Sequence, residues 1–167
     1  MLIIADKLSS INFSMFMDVY MEANINTGLC DYGGYSKPQQ RIFAEDDFYK
    51  YLNDIFFAQR GAKYFIWASD GVYKAALRLE PYCDGLLLTA LETRPDSRRM
   101  GYGFKLVQAV TEYLSQQGNG ILYSHIEKRN RASLLLHKKC GFQIEKDYAV
   151  FLDGSITHNS YTLQLQY

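Results

Sequence analysis

With 18 basic and 18 acidic side chains in 167 residues, the chain carries no formal net charge. That removes the basic surplus that nucleic-acid binding needs and the polybasic patch that holds a protein to an anionic membrane. One domain fits this length and can bury a core without disulfide or metal staples, and 14 Tyr and 10 Phe supply buried area as well as polar ring tips for a pocket. Cys30, Cys83 and Cys140 are scattered, with no C-x-x-C spacing, which fits a reduced, cytoplasmic setting. No apolar run approaches the roughly 20 residues of a membrane span. Residues 1–7 lack the charged and apolar regions of a secretory leader, so a soluble, cytoplasmic protein is expected.

In chain order, Leu2, Ile3 and Ile4 read as a short strand. Over residues 9–22, Phe13, Phe16, Met17, Tyr20 and Met21 recur at helical spacing. Residues 28–38, with Gly33-Gly34, read as a loop. A second helix is predicted over 38–60, with Pro38 in its first turn, a break near Ala44 and Gly61 to end it. Strands follow over 63–68, 72–80 and 85–93, with Asp70-Gly71 and Asp84-Gly85 as turn signals. The third strand is apolar almost throughout, which places it centrally.

After a loop over 94–100, a helix runs to about residue 117, its apolar face made by Leu106, Val107, Val110, Tyr113 and Leu114. A strand is predicted over 121–127. A short helix over 130–139 has Asn130 as its cap and Gly141 after its end. Two strands, 142–152 and 160–167, flank Asp153-Gly154. The order β, α, α, β, β, β, α, β, α, β, β predicts an α/β (α+β) fold: a mixed, splayed sheet of six or seven strands with helices on both faces. A single domain, residues 1–167, is expected, with a helical, aromatic part over 1–62 and a strand-rich core over 63–167.

The join between the third strand and its helix reads Arg98-Arg99-Met100-Gly101-Tyr102-Gly103. A helix start offers unpaired N–H groups and partial positive charge, which attract phosphate. Gly101 and Gly103 let the backbone approach an anion without a Cβ in the way, and Arg98 and Arg99 add charge. Taken alone, a glycine-relieved charged surface turn explains it equally well. A Walker turn would need Gly-Lys-Ser or Gly-Lys-Thr, which Phe104-Lys105-Leu106 does not supply. A dinucleotide turn would need glycine where Leu106 stands.

Arg98-x-x-Gly101-x-Gly103, after an apolar strand ending Leu91-x-Thr93-x-Pro95, resembles the coenzyme A signature of the GNAT acetyltransferases. A second stretch, Asn130-Arg131-Ala132-Ser133-Leu134-Leu135-Leu136-His137-Lys138-Lys139-Cys140-Gly141-Phe142, resembles the family's N-x-x-A/S-x-x-L-Y-x-x-x-G-F. The resemblance spans residues 63–167. It implies an acetyl-CoA-dependent N-acetyltransferase that needs no metal and acts on a small-molecule or peptide amine. Main-chain groups near Leu91 and Thr93 would meet the pantetheine arm. N–H groups of Arg99, Met100, Gly101, Tyr102, Gly103 and Phe104 would hold the pyrophosphate. Asn130, Ser133 and Leu136 would lie near the cofactor, although a helix cap explains Asn130 and a packing face explains Leu136. The resemblance leaves homodimerisation open.

Amine attack on a thioester needs a base for the amine, a donor for the oxyanion and an acid for the leaving thiolate. His137 stands where many family members carry Tyr as the acid. Its place in a last helical turn favours the imidazolium, against Lys138 and Lys139, so a usefully protonated His137 is expected, with packing on the cofactor as the competing reading. His125, five residues before Asn130, is the first candidate for the base and a satisfied sheet histidine its alternative. Glu92 is the second candidate, with an outward-facing carboxylate as the alternative. Tyr20, Tyr32, Tyr35, Phe43 and Phe48, with Glu45-Asp46-Asp47, would make an aromatic, mildly acidic acceptor mouth, or else core and a solvated helix face. The departure from Tyr at position 137 also keeps open a non-catalytic acyl-CoA sensor or interaction module.

Overall fold

The computed structural model describes residues 1–27 and 34–167; most of the loop expected over 28–38, with Cys30 and Tyr32, lies outside them. Strand β1 (Leu2–Ala5) precedes helix α1 (Phe13–Thr27). The helix begins later than its apolar spacing suggests because Asn12 caps it, its Oδ1 accepting the Met15 N–H at 3.2 Å. Helix α2 (Lys37–Lys50) opens on a capping contact in which Gln39 Oε1 accepts the Ser36 N–H at 3.1 Å. No break occurs at Ala44. The helix instead continues into a π-helical turn over Tyr51–Phe56, which buries Leu52 and Phe56.

Strands β2 (Lys63–Ser69), β3 (Val72–Tyr82) and β4 (Gly85–Thr93) form an antiparallel meander, followed by α3 (Tyr102–Ser115), β5 (Ile121–Glu127) and α4 (Arg131–Lys139). The strand expected over 142–152 is divided. Strand β6 (Gln143–Lys146) lies on the sheet edge with all four residues exposed, and its register against the last strand shifts between Ile144 and Lys146. Strand β7 (Ala149–Val150) leaves the sheet to pair with β8 (Ile156–Thr157) in a separate hairpin. The last strand is β9 (Ser160–Gln166). The main sheet has seven strands in the order β1-β2-β3-β4-β5-β9-β6, with β4 at its centre as its apolar sequence predicts.

Each face of the sheet carries its own core. On one face α1 and the α2 region bury Phe16, Tyr20, Phe48, Phe56 and Tyr64 against β2 and β3. On the other, α3 buries Leu106, Val107 and Val110 against Leu77, Leu88 and Leu122. Removing a side chain such as Phe16 or Phe56 from water contributes about 1.5–3 kcal/mol each.

Two local irregularities shape the centre of this sheet. Strands β4 and β5 are its parallel pair and stay in register only from Leu86 opposite Leu122 to Leu88 opposite Ser124. Beyond that they part, while β5 stays paired with β9 as far as Glu127. Just past the parting, β4 bulges. Thr89 faces Arg78 and Glu92 faces Ala76, so Ala90 and Leu91 stand where β3 has Leu77 alone. Ala90 takes φ 49°, a left-handed conformation uncommon outside glycine. Its carbonyl is held by the Tyr20 hydroxyl, which donates to it at 2.7 Å. The bulge resets the alternation of side chains. Thr89 and Glu92 both share the α1–α2 face, while Leu91 packs into the α3 core.

Candidate active site

The end of β4, beyond the point where it parts from β5, meets the start of α3 at Thr93 and Gly103. The first intrahelical bond runs from the Lys105 N–H to the Gly101 carbonyl at 3.0 Å, so the N–H groups of Tyr102, Gly103 and Phe104 have no partner within the helix. Gly101 sits at φ 81° with open space around its α-carbon; its conformation requires glycine. Gly103 has a different reason. A Cβ there would lie 3.1 Å from Leu136 Cδ1 and 3.3 Å from Thr93 Oγ1, so this glycine lets α3 close against α4 and the end of β4.

The charges around this helix start are divided between two tasks. Arg98 is bound to α1: its Nη1 and Nη2 reach the Glu22 carboxylate at 3.2 and 3.0 Å, and its Nε donates to the Thr93 carbonyl at 3.4 Å. Arg94 makes a second tie, to Asp18 at 3.7 Å. Arg99, exposed at φ 62°, has no ion-pair partner among the described residues. Lys74 and Lys105 stand over the Tyr102 ring at 5.9 and 5.3 Å. Met100 is exposed. Uncapped N–H groups, the helix dipole and these cations suit an anion at the opening.

On the α1–α2 face, next to the bulge, lies a cavity of about 320 Å³. Tyr20, Phe48, Tyr51, Tyr64, Arg78 and Glu92 are among its walls. The Arg78 guanidinium crosses it: Nε donates to Thr89 Oγ1 at 2.9 Å and pairs with Glu80 Oε1 at 2.8 Å, and Nη1 donates to the Tyr51 hydroxyl. Burial raises the pKa of Glu92, against the lowering effect of Arg98. Glu92 is therefore a half-buried carboxylate facing the cavity, not an outward one.

Two of the expected acceptor aromatics, Tyr20 and Phe48, line this cavity. Tyr35 and Phe43 do not; they meet edge to face at 4.8 Å in an exposed position. Glu45 and Asp46 pair with Arg41 and Lys50 along the α2 surface. Tyr51, Tyr64 and Arg78 escaped sequence reasoning. A signal for Arg78 exists: it interrupts the apolar run Ala75-Ala76-Leu77-x-Leu79.

His125 lies on β5 across the parting from Thr89, its ring against Tyr82 and Phe151 at 5.2 and 5.7 Å. Both ring nitrogens are buried without a hydrogen-bond partner, so it is not the satisfied sheet histidine of the simpler expectation. Burial, then the charge of Lys146, lowers its pKa.

His137 is 1% exposed, edge-on to Phe142 at 5.0 Å. Its Nδ1 lies 2.9 Å from the Ser133 carbonyl. That contact requires a proton on Nδ1 and leaves Nε2, buried without a partner, as an acceptor. Burial lowers the pKa more than this hydrogen bond raises it. The expected imidazolium is thus corrected to a neutral ring, because desolvation outweighs the helix dipole.

Asn130 caps α4, its Oδ1 accepting the Ser133 N–H at 3.1 Å. Burial pushes the Cys140 thiol up to about 11, so it is not a thiolate at neutral pH. No group of His, Cys, Asp and Glu able to hold a metal occurs among the described residues, and none of their helices is long and apolar enough to cross a membrane.

The family model described as the acetyltransferase (GNAT) family matches residues 30–142, more than half of the chain. The chain belongs to the GNAT acetyltransferase family. Among its relatives, the L-methionine sulfoximine/L-methionine sulfone acetyltransferase of Pseudomonas paraeruginosa is 37% identical over 60 residues, covering 36% of this chain and 35% of that protein. The match thus spans about a third of such a curated relative's length. The crystal structure of PaiA N-acetyltransferase from Thermoplasma acidophilum in complex with coenzyme A superposes with a TM-score of 0.66 at 14% identity, covering 100% of this chain and 99% of that one. The ribosomal-protein-S18-alanine N-acetyltransferase of Escherichia coli gives 0.63 at 17% identity, covering 99% and 94%. At such identities these two structures establish the shared GNAT fold.

Proposed function

We propose that the chain is an acetyl-CoA-dependent N-acetyltransferase acting on a primary amine, of a small molecule or a peptide, by direct attack in a ternary complex. The observation that carries this reading is the meeting of three features along one strand. The parted edge of β4 and the cavity that holds Glu92 adjoin the Ala90 bulge, and the uncapped start of α3 meets the end of the same strand at Thr93. An extended pantetheine arm would add to the free edge of β4 near Leu91 and Thr93, as a strand adds to a sheet edge. The pyrophosphate would take the N–H groups of the 99–104 turn. Arg98 would have to leave Glu22 to join it, so donor binding would compete with the tie to α1. Leu136, beside Gly103, with Ser133 and Asn130 of the same helix start, would lie near the cofactor.

Acetyl-CoA supplies the thioester: the amine nitrogen bonds to the acetyl carbon and loses a proton as the C–S bond breaks, and the sulfur keeps the electron pair and gains a proton. Glu92 is the stronger candidate for the base, because its raised pKa keeps a carboxylate able to take a proton at the cavity beside the bulge. His125, neutral and across the parting, is the alternative base. His137, with Nδ1–H committed to a carbonyl, packs the end of α4 instead of donating. A leaving thiol of pKa about 8.5 can take its proton from water. A main-chain N–H at the bulge would serve the oxyanion.

A thiol-release assay with acetyl-CoA and a broad amine panel, run beside calorimetric acetyl-CoA binding, tests this reading. Binding with turnover supports it. Binding without release of thiol for any amine would select a non-catalytic acyl-CoA sensor, the reading that the histidine at position 137 keeps in play. Absence of binding would overturn both.

A further inference from the structure

The cavity beside the bulge has a polar imbalance that its own walls do not resolve. The Tyr64 hydroxyl belongs to a fully buried side chain and has no well-formed hydrogen bond; the polar group set against it is the Arg78 guanidinium, which can only donate to it and so leaves the hydroxyl proton without an acceptor. The Asn24 amide nitrogen is also buried without a partner. Arg78 spends Nε on Thr89 and Glu80 and Nη1 on Tyr51, and none of these contacts uses Nη2. All three residues line the same cavity. Donors left unpaired in a buried site are costly unless a ligand accepts from them. The acceptor they share is planar and anionic, because a guanidinium edge matches a carboxylate.

The opposite requirement sits a short distance away. Glu92 pairs with Ala76 and Thr89 with Arg78 across the β3–β4 ladder. Ala76 and Arg78 share a face two residues apart, about 7 Å along the strand. One end of the cavity thus offers an acid beside the bulge, and the other the Arg78 guanidinium with Tyr64 and Asn24 around it. Glu80, only 5% exposed, offsets much of the Arg78 charge, so the site as a whole does not favour a simple anion. It favours a molecule carrying both signs, a cationic nitrogen at Glu92 and a carboxylate at Arg78.

We infer that the acceptor is a free α-amino acid or a close analogue, its amine directed to Glu92 and the Ala90 bulge and its carboxylate held by Arg78, Tyr64 and Asn24. This rests on the N-acetyltransferase reading and narrows it: simple amines lack the carboxylate, and peptide N-termini carry an amide in its place. The remaining wall, Tyr20, Phe48 and Tyr51, meets the side chain and suits an apolar one.

The test is a thiol-release assay with L-methionine and L-phenylalanine, their carboxamides, and the amines left after removal of the carboxyl group. The free acids are expected to exceed both derivatives by about tenfold or more in kcat/KM, since a site built to bond a group rejects analogues lacking it. Arg78→Gln is expected to raise KM for the acids about tenfold, abolish the acid-over-amide ratio and leave acetyl-CoA affinity unchanged. Should that variant fail to fold, Tyr64→Phe decides. It removes a buried hydroxyl whose proton has no acceptor in the protein, so it should raise KM for the acids about threefold with little change in the melting temperature. Equal turnover of acids, amides and amines would overturn the assignment, as would acetyl-CoA binding with no turnover of either acid. A protein that does not bind acetyl-CoA would fail at the underlying reading instead.

Discussion

The two sides of the central bulge are built on different principles. On the α3 side the elements proposed to bind acetyl-CoA are main chain: a parted strand edge, a helix start and two glycines with separate steric reasons. On the α1–α2 side they are side chains drawn from distant segments: Tyr20 from α1, Tyr51 from the π-helical turn, Tyr64 from β2, Arg78 from β3 and Glu92 from β4. A main-chain site is written locally, as glycine spacing after an apolar strand. A side-chain cavity assembled across the sheet leaves no local pattern. A site of the first kind tolerates change in most side chains, because it depends on backbone geometry; one of the second kind changes with each residue that lines it.

The sharpest way to break this contrast is at Gly101. Gly101→Val forces a β-branched residue into left-handed backbone, a strain of about 1–2 kcal/mol, and displaces the N–H groups that would face the pyrophosphate. Acetyl-CoA affinity is expected to fall about 100-fold with circular dichroism unchanged. Undiminished affinity, measured calorimetrically, would remove the main-chain site from the 99–104 turn. Next in size is Glu92→Gln, expected to lower kcat/KM about 100-fold at neutral pH while acetyl-CoA binds normally. Because burial raises the Glu92 pKa, wild-type activity should fall as pH drops through that raised value. An acid limb that survives in the glutamine variant would shift the base to His125.

A smaller effect is expected for the tie between the two sides. Tyr20→Phe deletes the hydroxyl that holds the Ala90 carbonyl and should cost about 1 kcal/mol of stability. A lower kcat for every acceptor should accompany it. Loss of stability with unaltered kcat would show that the bulge needs no support from α1 to work. The mildest expectation concerns His137→Leu: kcat within about threefold of wild type, against the much larger loss that a proton donor would show.

His125 and His137 contribute to the acid behaviour of the fold. Burial lowers both pKa values, so the unfolded chain binds more protons below about pH 6.5, and stability declines as pH falls through that value. Denaturant unfolding at neutral and mildly acid pH should show this decline, and His137→Leu should reduce it. An unchanged pH slope in that variant would mean that His137 takes up its proton at the same pH in the folded and the unfolded chain.

Much of the fold was legible because its signals are local. Alternation in β9, the helical stripe of α3 and the apolar run of β4 each report burial on one face or two. Asp70-Gly71 turns the chain where predicted, both residues with positive φ. The next turn differs: Tyr82 pairs with Gly85, so Cys83 and Asp84 are its central residues, and Cys83 carries the positive φ. Strand 142–152 was misjudged as continuous because edge strands bend and lose pairing without a marked change in composition.

At the site, the 98–103 turn and the 130–142 motif were readable from residue types at fixed spacing. The neutral state of His137 was not, since its last-turn position argues for charge and only the packing of Phe142 and the Ser133 carbonyl around the ring reverses that. What the residues determined by themselves is therefore the order of elements, the central strand and the glycine-bearing start of α3, all consequences of short-range periodicity and backbone freedom. What only the tertiary structure decided is the parting of β4 from β5, the bulge that turns Glu92 toward α1, and the meeting of Tyr64 with Arg78. Each depends on contacts between segments far apart in the chain, where burial and unpaired hydrogen-bonding groups outweigh local preference.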